Sequence, residues 1–325
     1  MKALVTGGTG FVGAWVARLL SQQGHSVRVL HRPKSKRHAL EGVDYESALG
    51  NVIDPDSLVR ACQGCDWVFH VAAVADYWRA DDAYLQRVNV DGTRNVLEAA
   101  RAAEVRRVIF TSSAAAVGFH QERPSTEDDP FNLPPQRFPY GYSKWRAEQV
   151  VADYVAAGLD VVIVNPVAIL GPGDLNQISG SFIIQTKRYG LLTPITSGGV
   201  SLIDVRDVAA LHLAAAERGR TGQRYILMRE NMDYRTLFSL IAREVGVRAP
   251  RVVIPDPLLP PIANVIDLLR RAGWRTPIDA NQVRLGGQRV YFDGSKARAE
   301  LGEALIPMSQ SIAESAAWYK AHNML

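Results

Sequence analysis

Met1-Lys-Ala-Leu-Val-Thr-Gly-Gly-Thr-Gly-Phe-Val-Gly-Ala-Trp-Val-Ala17 is the stretch on which the fold turns. Its apolar run 3–5 stops at a cluster of glycines, and apolar residues then return at helical spacing through Phe11, Val12, Val16, Leu19 and Leu20. The pattern reads as strand, tight turn, helix. Glycine suits a sharp turn, a close approach of backbone to ligand and a tight contact of helix on strand. The amides at the helix start then face negative charge, as they do around the pyrophosphate of a dinucleotide. Gly7, Gly10 and Gly13 stand at those places, while Gly8, Gly10 and Gly13 satisfy G-x-G-x-x-G equally well. The glycines therefore imply a dinucleotide site and leave its exact family open.

Working outward, short β-branched runs follow at 26–30, 43–49, 66–70, 107–111 and 160–165. Helical patterns separate several of them, at 55–62, 81–103 and 142–157. Strands alternating with helices give a parallel sheet covered on both faces, because each parallel pair needs a crossover. The expected fold class is α/β, a Rossmann-type doubly wound parallel sheet, with ligands beyond the carboxyl ends of its strands. After Asn165 the pattern changes. Pro166, Gly171, Pro172 and Gly173 mark a long connection, followed by helices at 179–189, 204–217, 234–245, 258–272 and 309–322 and brief strands near Ser201, Arg224 and Arg251. The expected division is a nucleotide-binding domain over 1–170, to which residues near 199–218 return, and a smaller, irregular substrate-binding lobe over 171–325. The prolines 255, 257, 260 and 261 fit a lobe connection.

With 325 residues, 47% of them hydrophobic, the chain can bury a sizeable core. The net charge of +4 comes from cations scattered through helices, a solvated-face pattern that does not imply nucleic acid. The uncharged N-terminal run carries glycines that would break a membrane helix, and no small-residue cleavage site follows it. No membrane span is expected, and the cytoplasm is the expected location. Cys62 and Cys65 form a C-x-x-C with His70 as the nearest further ligand, but no second pair exists. They read as two small packing residues, and no metal site is expected.

Chemistry enters at Tyr140-Gly-Tyr-Ser-Lys144. Residues four apart share a helix face, and a nearby ammonium favours tyrosinate, which fits a tyrosine for acid–base work near neutral pH. Thr111-Ser112-Ser113 ends a strand at the ligand-binding edge, where a hydroxyl can hydrogen-bond a substrate oxygen. A strand-end serine, then Tyr and Lys one helical turn apart, behind an N-terminal glycine turn, is far more specific than any one part.

Together these residues resemble an extended short-chain dehydrogenase/reductase over essentially the whole chain, in the branch of dihydroflavonol-reductase-like proteins and hopanoid-associated sugar epimerases. The resemblance rests on Thr6-Gly-Gly-Thr-Gly-Phe-Val-Gly13, Val68-Phe-His-Val-Ala-Ala73, Val88-Asn-Val-Asp-Gly-Thr-Arg-Asn95, Phe110-Thr-Ser-Ser113, the 140–144 motif, Asn165-Pro166 and Asp204-Val-Arg-Asp-Val208. It implies Tyr140 as general acid/base, Lys144 as the residue holding the nicotinamide ribose and lowering the tyrosine pKa, and Ser113 as the group orienting the reacting oxygen. Ser113 rather than Ser112 has the family's five-residue spacing to Gly118. The implied cofactor contacts are Gly7, Gly10, Phe11, Val12 and Gly13 of the turn, Asn51 and Val52 after the third strand, Ala72 and Ala73 after the fourth, Lys144, Pro166 and Ile169. Asn51 departs from the family's usual Asp. A homodimer built on the helices at 81–103 and 142–157 is also implied.

The end of the second strand bears on cofactor choice. NAD calls for an acidic residue there and NADP for cations, and the sequence offers His31-Arg32-Pro33-Lys34-Ser35-Lys36-Arg37 with no carboxylate before Glu41. NADP bound through Arg32 is the expectation, with NAD as the alternative. The expected function is reduction of a carbonyl on a small cyclic or flavonoid-like molecule. The alternatives are an NAD-dependent sugar-nucleotide epimerase or dehydratase, with Lys187, Arg188, Arg235, Arg284 and Arg289 as candidate diphosphate ligands, and a non-catalytic NADP sensor. Phe119, His120, Phe182 and Tyr189 are candidate substrate contacts.

Overall fold

A computed structural model describes residues 1–75, 81–274, 276 and 278–325. The opening stretch forms β1 (Lys2–Thr6), almost wholly buried, and then α1 (Phe11–Gln22), which buries Ala14, Val16, Ala17 and Leu20. The chain continues through β2 (Ser26–His31), β3 (Glu46–Leu49), α2 (Pro55–Cys62) and β4 (Trp67–His70). Next come α3 (Asp82–Leu85), α4 (Gly92–Ala102), β5 (Arg107–Thr111), α5 (Pro139–Ala156) and β6 (Val161–Pro166). Asp54 caps α2 by accepting from Ser57 N, with proline at the first helical position, a sequence-encoded helix start.

The second half contains β7 (Ala168–Leu170), α6 (Ser181–Tyr189), β8 (Gly199–Asp204), α7 (Val205–Arg218), β9 (Arg224–Leu227), β10 (Glu230–Asp233) and α8 (Tyr234–Glu244). It ends with α9 (Leu259–Arg271), α10 (Ala280–Gly286), β11 (Arg289–Val290), α11 (Ser295–Glu300) and α12 (Met308–Ala321). The large sheet runs β3-β2-β1-β4-β5-β6-β9, with parallel pairing throughout. This is the Rossmann-type doubly wound arrangement. In the smaller sheet β8 pairs with β10, β11 and β7.

One apolar core packs α1 and α7 on the large sheet, a second packs α2, α4 and α5 on its other face, and a third fills the second half around Ile183, Leu237, Ile241, Ile312 and Tyr319. Three elements differ from the pattern expected of the sequence. The strand at Arg224 is the edge of the large sheet, not a lobe strand. Near Arg251 there is only an isolated bridge, Ile195 to Val253, because alternation is brief there and proline follows. The helix expected over 81–103 is interrupted by a π turn at Gln86–Asp91, which buries Asn89. No helix among the described residues is long and apolar enough to cross a membrane.

Candidate active site

The glycine turn has a definite division of labour. Gly7 adopts φ +71°, and a Cβ there would lie 2.7 Å from the backbone of Ala72. A Cβ on Gly13 would lie 2.3 Å from Gly7 O, so helix and turn touch backbone to backbone. Gly8 meets only the side chain of Val29. Backbone thus excludes a side chain at Gly7 and Gly13, whereas a Cβ on Gly10 would lie 3.2 Å from Gly7 O. Gly10 begins α1 without a side-chain cap, and the first turn holds no acidic residue. Phe11 and Val12 are half-buried on that turn.

At the end of β2, His31 is buried and hydrogen-bonded to Ser47 Oγ (2.7 Å). Arg32 is exposed beside Lys34, Lys36 and Arg37. Glu41, the first carboxylate after it, pairs with His38 (3.3 Å). Beyond β3, half-buried Asn51 accepts from Ile53 N (3.4 Å), whereas Val52 is buried against Gly92 and offers only its backbone to anything above it. After β4, half-buried Ala72 and Ala73 pass close to the turn, and Ala72 N donates to Thr6 Oγ1 (3.2 Å).

The densest polar network surrounds β5 and α5. Lys144 is buried, its ammonium donates to Thr111 O (2.7 Å), and it lies 5.0 Å from the ring centroid of Phe110. Burial lowers its pKa to about 8, and the charge of Glu148, one turn further along the helix, opposes that shift. Glu148 Oε1 accepts from Ser112 Oγ and from Asn165 Nδ2 (2.7 Å), and Oε2 accepts from Arg224 (3.2 Å). Asn165 Nδ2 also donates to Ser113 O (3.0 Å). The carboxyl ends of β5 and β6 and the start of β9 are thus tied to α5 by one carboxylate.

Ser113 is buried and caps a short 3₁₀ turn at Ala114–Ala116, its Oγ accepting from Ala115 N (3.1 Å). Tyr140, also buried, stands at the start of α5. A Cβ on neighbouring Gly141 would lie 2.4 Å from Ala115 O, so this glycine lets the first turn of α5 close on the segment that follows Ser113. Ser143 Oγ donates to Tyr140 O (2.7 Å) and accepts from Asn89 Nδ2 (2.9 Å), while Asn89 Oδ1 accepts from Val74 N (2.8 Å). The π turn in this way anchors both the Tyr140 backbone and the loop after β4. Pro166 is buried at the end of β6, and Ile169 is half-buried on β7.

Comparison with known proteins places this arrangement in a group. The NAD dependent epimerase/dehydratase family matches residues 3–227. The "Sterol demethylase protein B" of Methylococcus capsulatus is 34% identical over all of both chains. The "4-hydroxy-2-methyl-3-oxo-4-farnesyl-3,4-dihydroquinoline-1-oxide ketoreductase" of Stigmatella aurantiaca is 33% identical over 94% of this chain and 92% of its own. The crystal structure of gox2253 superposes with a TM-score of 0.87 at 35% identity, over 99% of each chain. The chain belongs to this family.

Members of the family, the extended short-chain dehydrogenase/reductases, are NAD(P)-dependent oxidoreductases, epimerases and dehydratases, so a nicotinamide cofactor and an enzymatic role come with membership. In this dehydrogenase/reductase the glycine turn, Arg32, Ala72, Ala73, Ser113, Tyr140, Lys144 and Pro166 all belong to turns and segments at the carboxyl ends of the large sheet's strands or to α5 beside them. The second-half candidates are scattered. Lys187 donates to Val245 O (3.0 Å), Arg188 lies over Tyr189, and Arg284 is held by Asp267 (2.7 Å) and Asn281 (3.0 Å). Arg235 and Arg289 line one cavity of about 570 Å³ with Thr196, Ser197, Asp233 and Tyr291.

Among the aromatic candidates, Phe182 packs on Tyr234 and Phe238, and His120 pairs with Asp129 (3.0 Å). Phe119 is joined through its backbone to Asn132, and Tyr142 stacks on Trp145 beside Phe131. Both thiols are buried, and desolvation pushes Cys62 up to about 12. His70, the candidate third ligand, is enclosed between Thr6 Oγ1 (2.9 Å) and Thr93 Oγ1 (3.1 Å). Sequence reasoning missed Asn89 and Glu148. Glu148 had a signal, since it lies four residues after Lys144 on the same helix face. Asn89 stood within the motif Val88–Asn95, but its contacts depend on a π turn that the motif does not announce.

Proposed function

We propose that this chain is an NADP-dependent reductase acting on a carbonyl of a small cyclic or flavonoid-like substrate, with Ser113, Tyr140 and Lys144 as its catalytic residues. The observation that carries the cofactor choice is the cationic, carboxylate-free end of β2, where Arg32 projects into solvent. The glycine turn fits the rest of a dinucleotide. Its helix N-terminus has neither a side-chain cap nor an acidic residue, which leaves amide and dipole directed at a diphosphate. Gly7, Gly10, Phe11, Val12 and Gly13 would surround that diphosphate, Arg32 the 2′-phosphate, and Asn51, Val52, Ala72 and Ala73 the adenine side. Lys144, Pro166 and Ile169 would border the nicotinamide half. When bound, the reduced nicotinamide supplies hydride.

The chain's own groups supply the rest. The Ser113 hydroxyl donates to the carbonyl oxygen and fixes its position, and the Tyr140 hydroxyl transfers a proton to that oxygen as the carbonyl carbon gains hydride. Hydride and proton together give the alcohol. Lys144 stays charged below about pH 8 and favours the tyrosinate left behind. Glu148 keeps that ammonium charged and holds the Ser113 backbone through Asn165. The Stigmatella relative's name, a ketoreductase, supports a carbonyl substrate. Titration of NADPH and NAD, followed by a ketone screen with NADPH absorbance and product analysis, tests the proposal. One-way reduction with NADPH preferred is the expected result.

The presence of Arg235 and Arg289 in the lining of one cavity favours a second reading, an epimerase that binds a sugar nucleotide by its diphosphate. That enzyme would retain NAD and interconvert sugars with no net change in absorbance. Identification of the co-purified nucleotide separates the two. A homodimer through α4 and α5 remains part of the proposal. Ala99 and Ala100 are buried in the chain's own core, so Ala102 and the outer face of α5 are left for such a contact.

A further inference from the structure

An exposed apolar surface with an uncompensated positive charge lies on the second half of the chain, away from the glycine turn in sequence. Two segments build it. At the end of α6, Tyr189, Leu191 and Leu192 are exposed, Leu192 to 69%, and beside them Val252 and Val253 face solvent. Backbone hydrogen bonds hold the segments together: Arg251 N donates to Leu191 O (3.2 Å), Ile195 N to Val252 O (2.8 Å) and Ile254 N to Ile195 O (2.8 Å). Large exposed aliphatic side chains gathered in this way mark a contact surface.

The charge says what kind. Arg188, Arg248 and Arg251 are exposed on the same two segments, and Lys187 joins them. Neither 186–194 nor 245–254 contains a carboxylate. Glu244, just outside, is engaged with Arg243 (2.8 Å). Of the acidic groups lining the neighbouring cavity, Asp233 caps α8 and Asp256 accepts from Ser197 Oγ (2.6 Å). From Val253 the chain runs on through exposed Leu258 to α9, which exposes Val265 and Leu268, the last to 68%, and after which Trp274 is 69% exposed. Aliphatic side chains fringed by arginines, with tryptophan at the end of an amphipathic helix, are the composition of a segment seated in a lipid headgroup layer.

We infer that this surface docks on an anionic lipid bilayer, with Leu191, Leu192, Val252 and Val253 entering the acyl boundary and Arg188, Arg248 and Arg251 meeting the headgroup phosphates. Ile195 and Val253 belong both to these segments and to the wall of the 570 Å³ cavity, so docking brings lipid to the cavity's margin.

Flotation of the full chain with vesicles tests the docking without cofactor or substrate. Phosphatidylcholine vesicles containing phosphatidylglycerol should carry the protein upward at low salt, phosphatidylcholine alone much less, and added salt should weaken the first through screening. Each of Arg188→Ser and Arg251→Ser should lower partitioning about fivefold, the scale of one cation near an anionic surface. Leu192→Glu and Leu268→Glu, both at exposed positions that leave folding intact, should each lower it further, with thermal melting confirming the fold. No flotation of the wild type with anionic vesicles at low salt overturns the inference. So does a Leu192→Glu variant that floats unchanged, or one that instead converts a dimer to a monomer, which would make this face a protein contact. NADPH turnover, measured separately, reports on the reductase reading alone.

Discussion

The ends of β2 and β5 lie on the same edge of one sheet and are built on opposite terms. At β5 the polar groups form a buried network, Lys144 with Thr111 O, Ser112 with Glu148, the Ser113 carbonyl with Asn165 Nδ2, while Asn165 Oδ1 accepts nothing. At β2 the strand is anchored by buried His31, while Arg32 just beyond it stands in solvent. A group that must hold one position and one charge state is expensive to leave loose, whereas a group that meets a phosphate only on binding loses nothing by waiting in water. The contrast predicts that changes at β5 act on turnover and on pH dependence, and that changes at β2 act on cofactor choice alone.

The largest expected effect is at Tyr140. Tyr140→Phe should lower kcat by on the order of 10²-fold or more while NADPH affinity, measured by fluorescence titration, stays within error. Full activity in that variant would remove the assigned acid. Arg32→Asp should shift the NADP-to-NAD affinity ratio by about 10- to 100-fold, the range of a charged hydrogen bond, with kcat on the preferred cofactor little changed. A wild type that binds NAD more tightly than NADP would reverse this half of the contrast and favour the epimerase.

Gly13→Ala probes the turn between the two ends. The added methyl has no room beside Gly7 O and should cost about 1–3 kcal/mol in denaturant unfolding, whereas exposed Gly24, where a Cβ meets nothing within 4 Å, has only the strain of φ +77° to bear. The finest test is pH. Burial lowers the Lys144 pKa from 10.5 to about 8, so activity that needs its ammonium should fall as pH rises through about 8. Between pH 8 and 10.5 the unfolded chain binds a proton at this lysine that the folded chain does not, so its contribution to stability rises with pH there while activity declines. Glu148→Gln, which leaves burial of the ammonium unopposed, should move the alkaline limb to lower pH, a shift that mere loosening of the fold would not produce.

The parts of this picture legible in the sequence were those with a local signal. The glycine turn, the parallel alternation of strands and helices and the Tyr–Lys pair each follow from spacing on one element. Even the choice among overlapping glycine sets needed a tertiary fact, the approach of Ala72 to Gly7. The contacts of Asn89 depend on a π turn, which has no periodicity of its own, and four residues of strand do not say that β9 joins the large sheet. That Arg235 and Arg289, 54 residues apart in numbering, line one cavity is a product of how β8 recruits β10 and β11.

The seam between the two sheets has a mechanical meaning. A single residue, Val167, separates β6 from β7, and β8 passes directly into α7, which packs on α1. Any torque applied at the second half is therefore carried straight into the central strands and the helix behind the glycine turn. Swinging one sheet against the other would have to bend the chain at Val167 and at the junction of β8 with α7 rather than flex a loop. Ligands must accordingly enter and leave through an opening of nearly constant shape, and ligated and free forms should differ in side chains and surface loops while their strands superpose.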